Sequence, residues 1–147
     1  MSIFKLAWAA VHVVAGFEAR GGGSNPLGVM WLLGLSIFVI AAVLMTWVLV
    51  SNPFFEEHVR IQHDNQHRVV DRGPYAIVRH PGYVGFSSYL VSVPLLLGSP
   101  WAFVPTIVAV VVLVIRTVLE DRTLRDELPG YREYSERVRF RLIPGIW

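Results

Sequence analysis

None of the 147 residues is a cysteine, so disulfides, thiolate metal sites and cysteine nucleophiles are excluded, while the redox compartment stays open. Charge is missing in a more informative way. Residues 21 to 55 hold no acidic or basic side chain, and neither do residues 81 to 115. A soluble globule of this size does not leave such stretches bare, whereas membrane spans do. The chain also has no βαβ pattern and no strand-linked GxGxxG. Its three successive glycines, Gly21 to Gly23, are preceded by no strand and followed by no Lys-Ser or Lys-Thr, which argues against a phosphate loop. There is no HExxH pattern, and Ser87 and Ser88 lie in no nucleophile elbow.

What is present fits the same picture. Hydrophobic residues make up 54% of the chain and charged ones 16%, and the mean hydropathy is +0.50. Apart from Lys5, Glu18 and Arg20, every charged side chain lies in residues 56 to 79 or 116 to 141. The net charge is only +2 and arginine is interleaved with acid, so no nucleic-acid partner is expected.

Along the chain, IFKLAWAAVHVVAGF (residues 3 to 17) predicts a retained helix, with a signal peptide as the alternative. EARGGGSNP (18 to 26) predicts a loop. Residues 27 to 50 are uncharged throughout and predict the clearest span, since roughly 20 helical residues at 1.5 Å each cross a hydrocarbon core of about 30 Å. A polar segment follows, with prolines at 53, 74 and 81 that rule out one continuous helix. The second charge-free run is far too long for one crossing and folds back at LGSPW (97 to 101), giving a hairpin of about 83 to 97 and 102 to 119. RTVLEDRTLRDEL then carries the last helix onward. Arginines flank both ends of the hairpin, and the positive-inside rule places them in the cytoplasm. The expected fold is an all-α integral membrane protein of about four transmembrane helices, with a cytoplasmic carboxy-terminal helix and tail and both termini inside.

The hairpin can bring residues around His80 back to those around Glu120. Arg79 and His80 offer donors to an anion, Glu120 and Asp121 offer acceptors to an amine or ribose, and Tyr75 and Tyr83 offer rings. The same residue types also anchor helices at a membrane border, and composition alone leaves both readings open. His58, His63 and His67 are spaced for a possible metal pair at the last two, yet fit a solvated loop equally well. No metal is expected. His12 reads as a packed or interfacial histidine.

QHRVVDRGPYAIVRHPGYVG (66 to 85) and LEDRTLRDELPGYREYSERVRFRLIPGIW (119 to 147) resemble the isoprenylcysteine carboxyl methyltransferase and phospholipid methyltransferase superfamily, in the manner of its short bacterial-type members. The superfamily's mark is RHPxYxG, then a hydrophobic hairpin, then an acidic pair. Here these are Arg79, His80, Pro81, Tyr83 and Gly85, then Glu120 and Asp121, where the family usually carries two glutamates. The resemblance extends over about residues 52 to 147, including Gly130, Tyr131, Tyr134 and the closing Arg141 to Pro144.

That resemblance implies a single methyltransferase domain over residues 1 to 147, which binds S-adenosylmethionine through segments 63 to 85 and 116 to 144. His67, Gly73, Tyr75, Arg79, His80, Pro81 and Tyr83 would line the cofactor pocket, with Glu120 and Asp121 holding its amino or hydroxyl groups. Arg139 or Arg141 would orient a carboxylate acceptor, and Glu120 or Asp121 would assist an amine. The partners implied are the bilayer, of bacterial inner-membrane type, and a lipophilic or small-molecule methyl acceptor; the oligomeric state is open. A prenylcysteine-like or lipid carboxyl acceptor is the first expectation. A phospholipid amine, a small thiol, a reductase-like relative and a non-catalytic scaffold are the alternatives.

Overall fold

A computed structural model describes residues 2–23, 28–53 and 69–147, and all regular structure among them is helical, with no strand. The elements are α1 (Ser2–Arg20), α2 (Val29–Ser51), a 3-10 turn (Gly73–Ala76), α3 (Pro81–Leu97), α4 (Phe103–Glu127) and α5 (Tyr131–Arg137). His58, His63 and His67 lie outside the described residues.

Among the described residues, two helices are long and apolar enough to cross a membrane: α2 with 23 residues and α4 with 25. At 1.5 Å per residue they measure about 35 Å and about 37 Å. α3 has 17 residues, about 25 Å, which is short of a full crossing. Most apolar side chains of α2 are exposed, from Val29, Met30 and Leu32 through Ile40 and Val43 to Val50. A helix apolar all round and uncovered by protein suits lipid as its surroundings.

The loop expected over 18 to 26 begins later than its composition suggests. α1 runs on through Glu18, Ala19 and Arg20, and Gly21 and Gly22 end it by donating their amides to Phe17 O and Ala19 O. Gly22 has φ 72, the left-handed conformation in which a helix end turns away at little cost only for glycine. The last helix likewise continues well past residue 119, to Glu127, as the charged extension predicts.

The chain forms two compact units, one from residues 1–42 and 85–115, the other from 43–84 and 116–147. In the first, Val11, Ala15, Val93 and Ala102 make a small core, with Val14 and Tyr89 packed against it. Gly34 of α2 meets α3 so closely that a Cβ would stand 2.8 Å from Leu95 Cβ and 2.9 Å from Leu96 N. Its missing side chain is what lets the two backbones approach. The expected hairpin turn is present. Gly98 (φ 60) ends α3, Ser99 N donates to Pro94 O at 2.9 Å, and the buried Ser99 hydroxyl donates to the Glu18 carboxylate while accepting from Ala102 N at 3.3 Å.

The second unit holds all the charged residues except Lys5, Glu18 and Arg20. Its core is Leu128, Tyr131 and Tyr134, with Val69, Leu124 and Val138 against them. The 3-10 turn rests on the end of α2. Gly73 has φ 61, and a Cβ there would collide with the Ser51 side chain and stand 3.1 Å from Trp47 Nε1. The neighbouring Tyr75 hydroxyl accepts a hydrogen bond from Asn52 Nδ2 at 2.9 Å.

Candidate functional site

Within the second unit, a proline sets the geometry. Pro81 starts α3, a position where its missing N–H is no loss and its fixed φ suits the first turn. The residue before a proline is pushed toward extended backbone, so the amides just ahead of Pro81 need partners outside the helix. The tail supplies them. Arg79 N donates to Phe140 O at 2.9 Å, and His80 N donates to Arg141 O at 3.0 Å.

The Arg79 side chain is 4% exposed and turns inward. Its Nε donates to Asp121 Oδ1 at 2.8 Å and its Nη2 to Oδ2 at 3.1 Å, a two-pronged pair between residues 42 apart in sequence. The remaining nitrogen, Nη1, faces the carbonyls of Ser135 (3.2 Å), Val138 (2.9 Å) and Arg139 (3.0 Å). These lie at and just beyond the last turn of α5, where carbonyls lack partners within the helix, so one guanidinium both neutralises Asp121 and caps α5. All three of its nitrogens therefore donate within the fold.

Asp121, 1% exposed, collects further donors. Arg141 Nε reaches Oδ2 at 3.1 Å and the Tyr131 hydroxyl reaches Oδ1 at 3.0 Å. His80 Nε2 is 3.4 Å from Oδ1, and Arg125 Nε is 3.5 Å from Oδ2. The Arg125 nitrogen is buried and has no hydrogen bond among the described residues. Arg141 also lies over the Trp147 ring, 5.2 Å from its centre.

Glu120 faces elsewhere. Successive residues on an α-helix point about 100° apart, so neighbours in a pair need not share surroundings. Its Oε2 accepts from the Tyr83 hydroxyl at 2.5 Å, and that hydroxyl accepts from Arg116 Nε at 2.8 Å. Oε1 has no hydrogen bond among the described residues, and His80 Nδ1 lies 3.9 Å from it. The His80 ring, itself buried, is stacked with that of Tyr83 at 5.9 Å and 18°. A half-buried carboxylate oxygen with spare lone pairs, beside an imidazole and a phenol, is suited to receive an amine or hydroxyl donor.

The tyrosines are locked as neutral phenols. Burial, reinforced by the Asp121 charge, pushes the Tyr131 hydroxyl far above its ordinary value. Burial does the same to Tyr134, which donates to Tyr75 O at 2.7 Å. Tyr75 is raised by burial and then, more weakly, by Glu120, against the opposing hydrogen bond from Asn52.

Of the residues expected from sequence, Arg79, His80, Tyr83, Glu120, Asp121 and Arg141 are linked in one network of contacts. Pro81 is buried at the start of α3, while Gly73 and Tyr75 form the turn beneath the Tyr134 hydroxyl. Arg139 is exposed and, among the described residues, enters the network through its carbonyl. Sequence reasoning missed Arg116, Arg125 and Tyr131 as members of the network. Arg116 and Arg125 each lie four residues from a carboxylate on α4, the spacing that sets side chains on one helix face, and that signal was readable.

Comparison with known proteins gives a consistent result. A family model described as the isoprenylcysteine carboxyl methyltransferase (ICMT) family matches residues 32–126, more than half of the 147. A probable protein-S-isoprenylcysteine O-methyltransferase of Oryza sativa subsp. indica is 30% identical over 109 residues, which are 72% of this chain and 57% of that protein. The like-named protein of Oryza sativa subsp. japonica gives the same values. Protein-S-isoprenylcysteine O-methyltransferase B of Arabidopsis thaliana is 26% identical over 108 residues, 71% of this chain and 55% of that one. The chain thus spans a little over half the length of these relatives.

Proposed function

Because this chain belongs to the isoprenylcysteine carboxyl methyltransferase family, we propose that it is a membrane methyltransferase that transfers a methyl group from S-adenosylmethionine to a lipophilic acceptor, first of all a prenylcysteine-like or lipid carboxylate. The observation that carries this reading is the meeting of the RHP segment with the Glu120–Asp121 pair, together with the unequal surroundings of the two carboxylates. One acid organises the unit and the other keeps an oxygen for a ligand.

The donor set fits such a cofactor. Its amine and ribose hydroxyls need acceptors, and Glu120 Oε1 is one with no hydrogen bond of its own among the described residues. When bound, S-adenosylmethionine supplies a methyl group already activated on a sulfonium, so the protein needs no metal. The chain's own residues bind, orient and exclude water, which makes the chemistry chiefly one of positioning. Glu120 holds donor groups by hydrogen bonding. His80, Tyr83, Tyr75, Gly73 and Pro81 form walls, and His67 belongs to the same proposed pocket. Asp121 and Arg79 contribute by fixing the tail that carries Arg139 and Arg141. Arg139, exposed, is free to swing its planar guanidinium onto an acceptor carboxylate, and Arg141 flanks it.

In the same reading the polypeptide is one domain over residues 1–147. α1 and the hairpin helices lie with α2 in the bilayer, α3 entering it without a full crossing, and the arginine-rich segments and both termini lie in the cytoplasm of a bacterial-type inner membrane. Calorimetry with the purified protein in detergent tests the core of the proposal. Micromolar-range binding of S-adenosylmethionine is expected, and absence of binding by folded protein would end the reading. Incubating membranes that contain the protein with methyl-labelled S-adenosylmethionine then identifies the acceptor, and base-labile label in the lipid fraction would mark an ester.

A further inference from the structure

We infer that Arg116 is a positioning residue for Glu120 and acts on it through the hydroxyl of Tyr83, fixing one carboxylate oxygen so that the other receives an amine or hydroxyl of the methyl donor. This rests on the function proposed above and names a residue that neither the motif nor the acidic pair contains.

Arg116 is the first charged side chain after residues 81 to 115, and it is 22% exposed, as is Glu120. At a membrane border the ordinary role of such an arginine is to extend its head toward water. An i,i+4 pair with Glu120 would be the next simplest account. The second does not match the distances. The Arg116 Nε stands 4.0 Å from Glu120 Oε2, too far for a hydrogen bond, but 2.8 Å from the Tyr83 hydroxyl. Its guanidinium carbon lies 6.0 Å from the centre of the Tyr83 ring. The Nε of this cation hydrogen-bonds to tyrosine rather than to Glu120.

A phenol has one proton and two lone pairs. Arg116 occupies a lone pair, and the proton goes to Glu120 Oε2 at 2.5 Å. Each bond in such a chain polarises the next, so the hydroxyl donates more strongly because a cation stands behind it. The direction is fixed: arginine to tyrosine to glutamate. With Oε2 taken, the carboxylate rotamer is set and Oε1 is presented beside His80 Nδ1, 3.9 Å away. An oxygen so placed accepts from an ammonium or a sugar hydroxyl and repels a carboxylate, which assigns Glu120 to the methyl donor rather than to an acidic acceptor.

A double-mutant cycle on the full chain in lipid nanodiscs, read as S-adenosylmethionine affinity by calorimetry, tests the relay. Tyr83→Phe and Arg116→Gln are each expected to weaken binding about ten-fold, on the order of one charge-assisted hydrogen bond. The double variant is expected to lose less than the product of the two single losses, because the hydroxyl is the hydrogen-bonded link between Arg116 and Glu120. Arg116→Lys keeps the charge and serves where Arg116→Gln does not fold: it is expected to lose affinity in the wild-type background and to lose less in the Tyr83→Phe background. Losses that multiply in the double variant, or full affinity in either single one, would overturn the relay while leaving the methyltransferase reading intact. A wild-type protein that binds no S-adenosylmethionine would overturn that reading itself.

Discussion

Replacing Arg79 with alanine is expected to cost about 3–5 kcal/mol, because it removes one partner of a buried ion pair and leaves the other charge without its main neutraliser. Asp121 would remain buried with Arg141 at 3.1 Å and Tyr131 at 3.0 Å, which offsets part of the loss. Against that, the Ser135 and Val138 carbonyls lose the donor that closes α5, and each buried acceptor left unpaired adds about 1 kcal/mol or more. The two corrections oppose each other, so the middle of the range, about 4 kcal/mol, stands. Set against a typical stability of about 5–15 kcal/mol, this is a large fraction.

Arg79→Lys separates charge from geometry. An ammonium has three protons on one atom and cannot span both Asp121 oxygens while also reaching the tail, so about 2 kcal/mol is still lost. Thermal unfolding in nanodiscs measures the total, and amide hydrogen exchange locates it. The amides of residues 131–142 should lose protection first, since Arg79 holds that segment. Arg137→Gln is the control: its pair with Asp71 is 2.8 Å long but joins side chains 67% and 48% exposed, so a change within about 1 kcal/mol is expected. An Arg79→Ala protein as stable as the Arg137→Gln control, with exchange in 131–142 unchanged, would refute the reasoning.

Gly73→Ala places a Cβ against Ser51 in a backbone conformation (φ 61) that costs an L-residue roughly 1–2 kcal/mol before any clash; thermal unfolding should show a loss of at least that size. Gly34→Val forces α2 and α3 apart where a Cβ already meets Leu95 Cβ at 2.8 Å, with an expected loss of about 1–3 kcal/mol in the same assay and no need for any effect on residues 131–142. Alkaline pH gives a third test. The folded values of Tyr75, Tyr131 and Tyr134 lie above the ordinary 10.0, so the stability they contribute is fully present below pH 10 and is lost as pH rises toward the folded values. Each such tyrosine removes about 1.4 kcal/mol per pH unit in that window. Phenolate absorbance should therefore appear together with unfolding; a gradual rise in native protein just above pH 10 that accounted for these three residues would contradict their burial.

How much of this could be read from the sequence differs by element. The span α2 was plain, because a long uncharged stretch has few other uses. So were the hairpin turn at Gly98 and Ser99 and the continuation of α4 past the apolar residues. The end of α1 was misjudged by three residues, since Glu18 to Arg20 look like loop next to three glycines. What keeps them helical includes a distant contact, Glu18 with Ser99, and local composition cannot register a partner 81 residues away. The pairing of the Arg79 and His80 amides with Phe140 O and Arg141 O was invisible for a different reason. Backbone hydrogen bonds carry no side-chain signature, so nothing in FRLIPG announces where its carbonyls go.

The division of labour between the two acids lies between these cases. From sequence, Glu120 and Asp121 form one pair with one expected task, and the family's usual second glutamate encourages that view. Helical geometry separates them by about 100° and sends them into different company. Asp121 is 1% exposed and receives hydrogen bonds from Arg79, Arg141 and Tyr131. Its shorter side chain suits that position: a glutamate would add a methylene to a carboxylate whose two oxygens already meet the Arg79 fork at 2.8 and 3.1 Å. Glu120, one residue earlier, is longer and 22% exposed, and it is steered by a single phenol. The aspartate in this chain therefore need not weaken the site. It shortens the member of the pair that builds the unit, and leaves the longer side chain at the more exposed position.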